Sequence, residues 1–186
     1  MNENKPSPFT HLFNYGAICG LVMFSITLAL WFSGMFPLGT ASIYFFWIPL
    51  VFMYIATKGL RDNFLKGSIT YWGAFKAQML VVSSYGVLYV LLIYIFGKLI
   101  YTDLVSDYIQ TYLHELEMTK KEMYKVLGSG YENYEDRMIE EISKSTLTSI
   151  LFKEYFNKLI GGAFFALILS FKLKRINLVS HVESKS

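Results

Sequence analysis

The chain has 186 residues, 54% of them apolar and 18% aromatic, with only 17% charged and a formal net charge of +3. A soluble domain usually carries roughly a quarter charged residues, so the composition argues against an ordinary soluble fold, and so small an excess of base does not suggest a nucleic-acid partner. The length suits a single domain, 1–186.

From Pro6 to Thr57 there is no Lys, Arg, Asp or Glu, a run that predicts two successive membrane spans. The first is expected over residues 12–36. At 1.5 Å per residue it is about 37 Å long, enough to cross a hydrocarbon core of about 30 Å. It is too long for the core of a cleavable signal peptide, roughly 7–15 residues, so it is expected to stay in the mature protein. Gly16, Gly20, Thr27 and Gly34 fall within about 40° of one another at 100° per residue. Such a small-residue face lets a second helix approach closely, either another span of this chain or a second copy. Cys19, the one cysteine, reads as a small apolar residue in this helix.

Gly34, Pro37 and Gly39 predict a tight turn. The second span is expected over 41–57, with a kink at Pro49. A basic connector follows, Lys58, Arg61, Asp62 and Lys66. The third span is expected over 72–100. Gln78, Tyr85 and Tyr89 share one of its faces, which reads as interhelical hydrogen bonding or as the lining of a substrate path.

Residues 101–149 carry ten acids and five bases, a local charge of −5 that leaves +8 for the rest. Val105, Ile109, Tyr112, Leu116, Met123 and Val126, with Thr119, recur in steps of four and three, the seam of an amphipathic helix. Gly128, Ser129 and Gly130 break it. Tyr131, Tyr134, Met138 and Ile142 then form a returning stripe. The expectation is a helical hairpin whose arms bury each other or dock a partner.

The fourth span is expected over 147–171, with Gly161 and Gly162 as further packing residues. Lys153, Glu154 and Lys158 are expected near an interface, Glu154 pairing with Lys158 at i,i+4 and Lys158 snorkelling. Lys172, Lys174 and Arg175 stop the span. Lys5, the Lys58–Lys66 connector and the Lys172–Arg175 cluster place both termini in the cytoplasm and the hairpin outside. Trp31, Phe36, Tyr44 and Trp47 read as outer anchors, Tyr71 and Trp72 as inner ones.

No catalytic, phosphate-binding or cofactor motif is present. His11, His114 and His181 lie far apart in sequence and form no ligand pair. The cluster Glu135, Asp136, Glu140 and Glu141 reads as a solvated helix face. Inside the spans, Lys76 near the inner end of the third is the one ionisable group expected, which argues against an ion-coupled pump.

Tyr15-Gly16-Ala17-Ile18-Cys19-Gly20, Ile69-Thr70-Tyr71-Trp72-Gly73-Ala74-Phe75-Lys76, the charged hairpin with its glycine break, and Leu159-Ile160-Gly161-Gly162 before Lys172-Leu173-Lys174 together resemble a family of small bacterial inner-membrane proteins known only as a domain of unknown function. The resemblance implies four spans in the cytoplasmic membrane, no assigned activity, and a link to a membrane glycosyltransferase. The expected fold is therefore an all-α, polytopic membrane protein with four transmembrane helices and an extracytoplasmic helical hairpin between helices 3 and 4. The leading functional expectation is a non-enzymatic binding or scaffolding component of the cell envelope. Its partners would be the lipid bilayer and another membrane protein or a homo-oligomer, with no cofactor or metal. The alternative is an oligomeric transporter of a small solute or lipid. An intramembrane enzyme ranks last.

Overall fold

The computed structural model describes residues 7–36, 38, 44–128 and 130–175. Lys5, Pro37, Gly39, Ser129 and His181, and the start of the expected second span at 41–43, lie outside the described residues. The described chain is all helical: α1 Pro8–Phe32, α2 Trp47–Phe64, α3 Tyr71–Leu99, α4 Leu104–Leu127, α5 Gly130–Ser143 and α6 Leu147–Leu173.

The helix starts follow from local chemistry. The Ser7 hydroxyl accepts from Thr10 N and Pro8 occupies the first helical position, where a missing N–H costs nothing. Thr70 caps α3 through Gly73 N. At α6, Thr146 and Ser149 each accept from the other's backbone N–H, a capping box that fixes the break between α5 and α6.

Among the described residues three helices are long and apolar enough to cross a membrane: α1, α3 and α6. The fourth helix of the bundle, α2, is not among them, because its last two turns contain Lys58, Arg61 and Asp62. Three residues of the expected connector, Lys58, Arg61 and Asp62, are thus part of the helix, and Lys66 lies just beyond it. The expected kink is also absent from its place. Pro49 is the third residue of α2, in the first turn, where its nitrogen has no helical carbonyl to bond.

Helix α3 is the hub and packs on α1, α2 and α6, while α2 also touches α1 and α6. Helix α1 runs parallel to α3: Gly16 lies against Val81 and Ser84, and Trp31 meets Phe96 edge to face and lies beside Tyr101. Helix α6 runs antiparallel to α3, with Gly162 on Val82, Tyr155 on Gly86 and Leu147 on Gly97.

The two basic segments meet at one end. Ile69 and Arg175 exchange backbone hydrogen bonds of 2.8 and 2.9 Å, and Arg61 Nη1 donates to the Leu173 carbonyl. At the opposite end α4 leaves α3 and seats Leu104 and Tyr108 in the core, Tyr108 beside Phe36. Helix α5 folds back on α4. Lys120 pairs with Glu135 at 2.9 Å, and the Tyr124 and Tyr131 rings meet edge to face.

Candidate functional site

At mid-height of the bundle the four helices surround a cleft of about 340 Å³. Helix α1 contributes Met23, the first two turns of α2 contribute Pro49, Leu50 and Met53, and α3 contributes Val82 and Tyr85. Helix α6 supplies the polar wall: Glu154, Asn157 and Lys158, then Gly161 and Gly162. Because Met23 lies near the middle of α1, α2 begins partway along the bundle rather than at its end.

Lys158 Nζ donates to Glu154 Oε2 at 2.5 Å, with side-chain exposures of 11% and 12%. The spacing makes the pair almost obligatory, since residues four apart on a helix sit on one face. Its position is what differs from expectation. The pair lies between the Gly162–Val82 and Leu147–Gly97 contacts, opposite the middle of α3. Lys158 therefore does not snorkel: its ammonium sits 4.6 Å from the centre of the Tyr89 ring, a cation–π contact strengthened by exclusion of water. The Tyr89 hydroxyl in turn meets Thr27 Oγ1 at 3.1 Å, and Thr27 donates to Met23 O. Glu154, Lys158, Tyr89 and Thr27 thus form one polar chain from α6 through α3 to α1. Tyr108, at the start of α4, senses the same pair: burial first, then the Glu154 carboxylate, hold its phenol above the ordinary range.

The remaining residues singled out in the sequence divide clearly. Gly16 and Gly20 face α3, so the small-residue face is used within the chain. A methyl at Gly16 would lie 2.6 Å from Ser84 Cβ, and one at Gly20 3.1 Å from the Tyr85 carbonyl. Thr27 lies on the same face and is buried. Gly34 does not: it follows the end of α1 in a turn with φ +75° and has nothing near its Cβ position. Gly162 packs on Val82, whereas Gly161 faces open space in the cleft. The reading of Gly34 and Gly161 as packing residues is corrected accordingly.

Gln78, Tyr85 and Tyr89 do share a face of α3, but not a task. Gln78 is fully buried and ties α3 to α6, donating to Ser170 Oγ at 3.0 Å. Tyr85 lines the cleft and Tyr89 lies under Lys158. Along the hairpin seam, Val105, Ile109, Tyr112, Leu116 and Met123 are half-buried. Val126 is 80% exposed, so the seam stops short of it. Thr119 is exposed, and in the return arm Tyr131 and Ile142 are buried. His11 hydrogen-bonds the Ala56 carbonyl between Tyr15 and Phe64, a packing role.

The missed residues are Glu154 and Lys158 as members of an interior site. The signal was their i,i+4 spacing inside a segment that had to span. Two opposite charges that cancel and face a partner helix do not end a span as a lone charge does.

The family profile described as "Protein of unknown function (DUF4199)" matches residues 14–175, a stretch that contains the whole cleft. No curated protein and no solved structure matches the chain.

Proposed function

We propose, taking as premise that the chain belongs to the DUF4199 family, that this integral membrane protein binds a small molecule in a cleft inside the bilayer, as a carrier of a small solute or lipid would. The observation that carries this reading is the Glu154–Lys158 pair buried in a cleft that four helices share. Ionisable groups are costly inside a membrane and typically face an interior path or site. The sequence argument against transport rested on finding no ionisable group in the spans beyond Lys76 near the inner end of the third, and this pair removes it. The start of α2 partway along the bundle supports the same reading, because interrupted helices often border binding sites in carriers.

The topology that goes with it has four crossings, α1, α2, α3 and α6, in a bacterial cytoplasmic membrane. Both termini are inside and the α4–α5 hairpin is outside. The meeting of the connector and the Lys172–Arg175 cluster at one end supports it, since basic flanks collect on the cytoplasmic side.

Mass spectrometry of solvent extracts from purified protein tests the function. Wild type should release a bound small molecule, and Gly161→Trp, whose side chain would fill the cleft, should release far less at an unchanged unfolding midpoint. Equal release from both would remove the cleft as a binding site.

Scaffolding keeps one specific support, the exposed apolar side chains of α4 in the hairpin, where Met118 is 72% and, at the tip, Val126 80% exposed.

A further inference from the structure

We propose that the cleft selects a ligand with no net charge, whose head both donates and accepts hydrogen bonds, as a hydroxyl or amide does, and whose remainder is apolar. The inference rests on the reading of the cleft as a binding site and adds the chemistry of what enters it.

Charge comes first. Glu154 and Lys158 are the ionised side chains on the cleft wall, and they cancel. An anionic or cationic head would leave an uncompensated charge among Met23, Leu50, Met53 and Phe165, where low dielectric makes it expensive. A neutral head keeps the balance.

Hydrogen-bonding capacity comes second. Glu154 uses Oε2 for the pair, and its Oε1 takes no hydrogen bond from any described residue. Lys158 has three N–H donors, of which the pair takes one. Asn157 lines the cleft, is exposed to it, and makes no hydrogen bond with any described residue. The Tyr85 hydroxyl likewise makes no hydrogen bond with any described residue. The wall thus offers an acceptor at Glu154, donors at Lys158, and both at Asn157 and Tyr85. A hydroxyl or amide can answer both kinds, donating to Glu154 and accepting from Lys158, Asn157 or Tyr85, while a hydrocarbon answers neither.

Shape comes third. The apolar walls stand on α1, α2 and the far end of the α6 face, and the volume of about 340 Å³ falls at the small end of ligand sites. That fits one short chain or ring system and not a two-tailed phospholipid.

The test uses full-length protein in phosphatidylcholine nanodiscs and three photoreactive decyl probes that differ in head: an alcohol, a sulfonate and a trimethylammonium. Labelled peptides are identified by mass spectrometry, normalised to probe content of the disc. In wild type the alcohol should label the cleft peptides around Met53 and Phe165 about tenfold more than either charged probe, the ratio for about 1.4 kcal/mol. Glu154→Gln leaves the site positive and should turn the preference to the sulfonate. Lys158→Met leaves it negative and should turn it to the trimethylammonium. The exchanged pair Glu154→Lys with Lys158→Glu restores neutrality and should restore the alcohol, which also guards against a folding artefact in the single variants. Cleft labelling led by a charged probe, or equal for all three, overturns the ligand class and leaves the binding site standing. Absence of cleft labelling by every probe, with Gly161→Trp indistinguishable from wild type, overturns the binding site itself.

Discussion

Gly161 and Gly162 are neighbours with opposite surroundings, and they separate packing from mere helix composition. A methyl at Gly162 would meet Val82 Cγ1 at 2.6 Å, while one at Gly161 meets nothing within 4 Å. Gly162→Ala should therefore force α6 off α3 and lower stability by about 1–3 kcal/mol, the usual range for overpacking. Gly161→Ala should raise it by about 0.5–1 kcal/mol, because alanine restricts the unfolded backbone. Gly16→Ala should behave like Gly162→Ala, since its methyl would press on Ser84 and the Val81 carbonyl. Unfolding midpoints in one detergent decide it, and an equal response at positions 161 and 162 would contradict the packing described. At this scale the sequence was half legible. The face that carries Gly16 and Gly20 could be read from helical spacing, because spacing fixes which side chains share a face. What it could not show was which face meets a neighbour. Gly161 and Gly162 differ by 100° of rotation, and only the position of α3 makes one tight and the other open.

At the scale of elements, the hairpin is built from its base. Leu104 and Tyr108 are buried in the bundle, Tyr131 is fully buried between the arms, and the apolar tip is exposed. Leu116→Asp places a charge in the half-buried part of the seam and should open the α4–α5 contact. Val126→Asp changes only exposed surface and should be close to neutral, within about 0.5 kcal/mol. Limited proteolysis of the full chain reads the difference: cleavage near Gly128 should accelerate for Leu116→Asp and stay at the wild-type rate for Val126→Asp. Acceleration by both would mean that the seam extends to the tip after all. The seam's periodicity was visible in sequence, but its end was not, because an amphipathic stripe continues as long as the helix does, whether or not a partner reaches that far. Helix α2 teaches the converse. Its start was placed at the first apolar residue after the turn, yet the helix forms from Trp47 and runs on through its charges to Phe64.

For the whole molecule, the contact between Ile69 and Arg175 makes a single claim about sides. Whatever faces the Lys58–Lys66 segment also faces the end of α6. Reporter fusions after Lys66 and Ser186 should therefore give the same, cytoplasmic signal, and a fusion after Gly128 the opposite one. A cytoplasmic reporter at Gly128 would refute the four-crossing topology. The architecture of apolar helices was legible because membrane insertion is decided by long stretches of composition. The site was less so. Charges were counted along the chain as boundaries, and only the pairing of α6 with α3 turns Glu154 and Lys158 from the edge of a span into the middle of a bundle.

That both members of the buried pair stand on one helix also matters while the protein is being made. Helix α6 is the last of the long apolar helices to leave the ribosome, and it reaches the membrane before it can dock on Tyr89. Had the carboxylate and the ammonium been placed on different helices, each would have had to cross into lipid alone. Four residues apart, they form as a neutral unit in the third and fourth turns of α6, so the pair that completes the cleft enters the membrane with its own charges already cancelled.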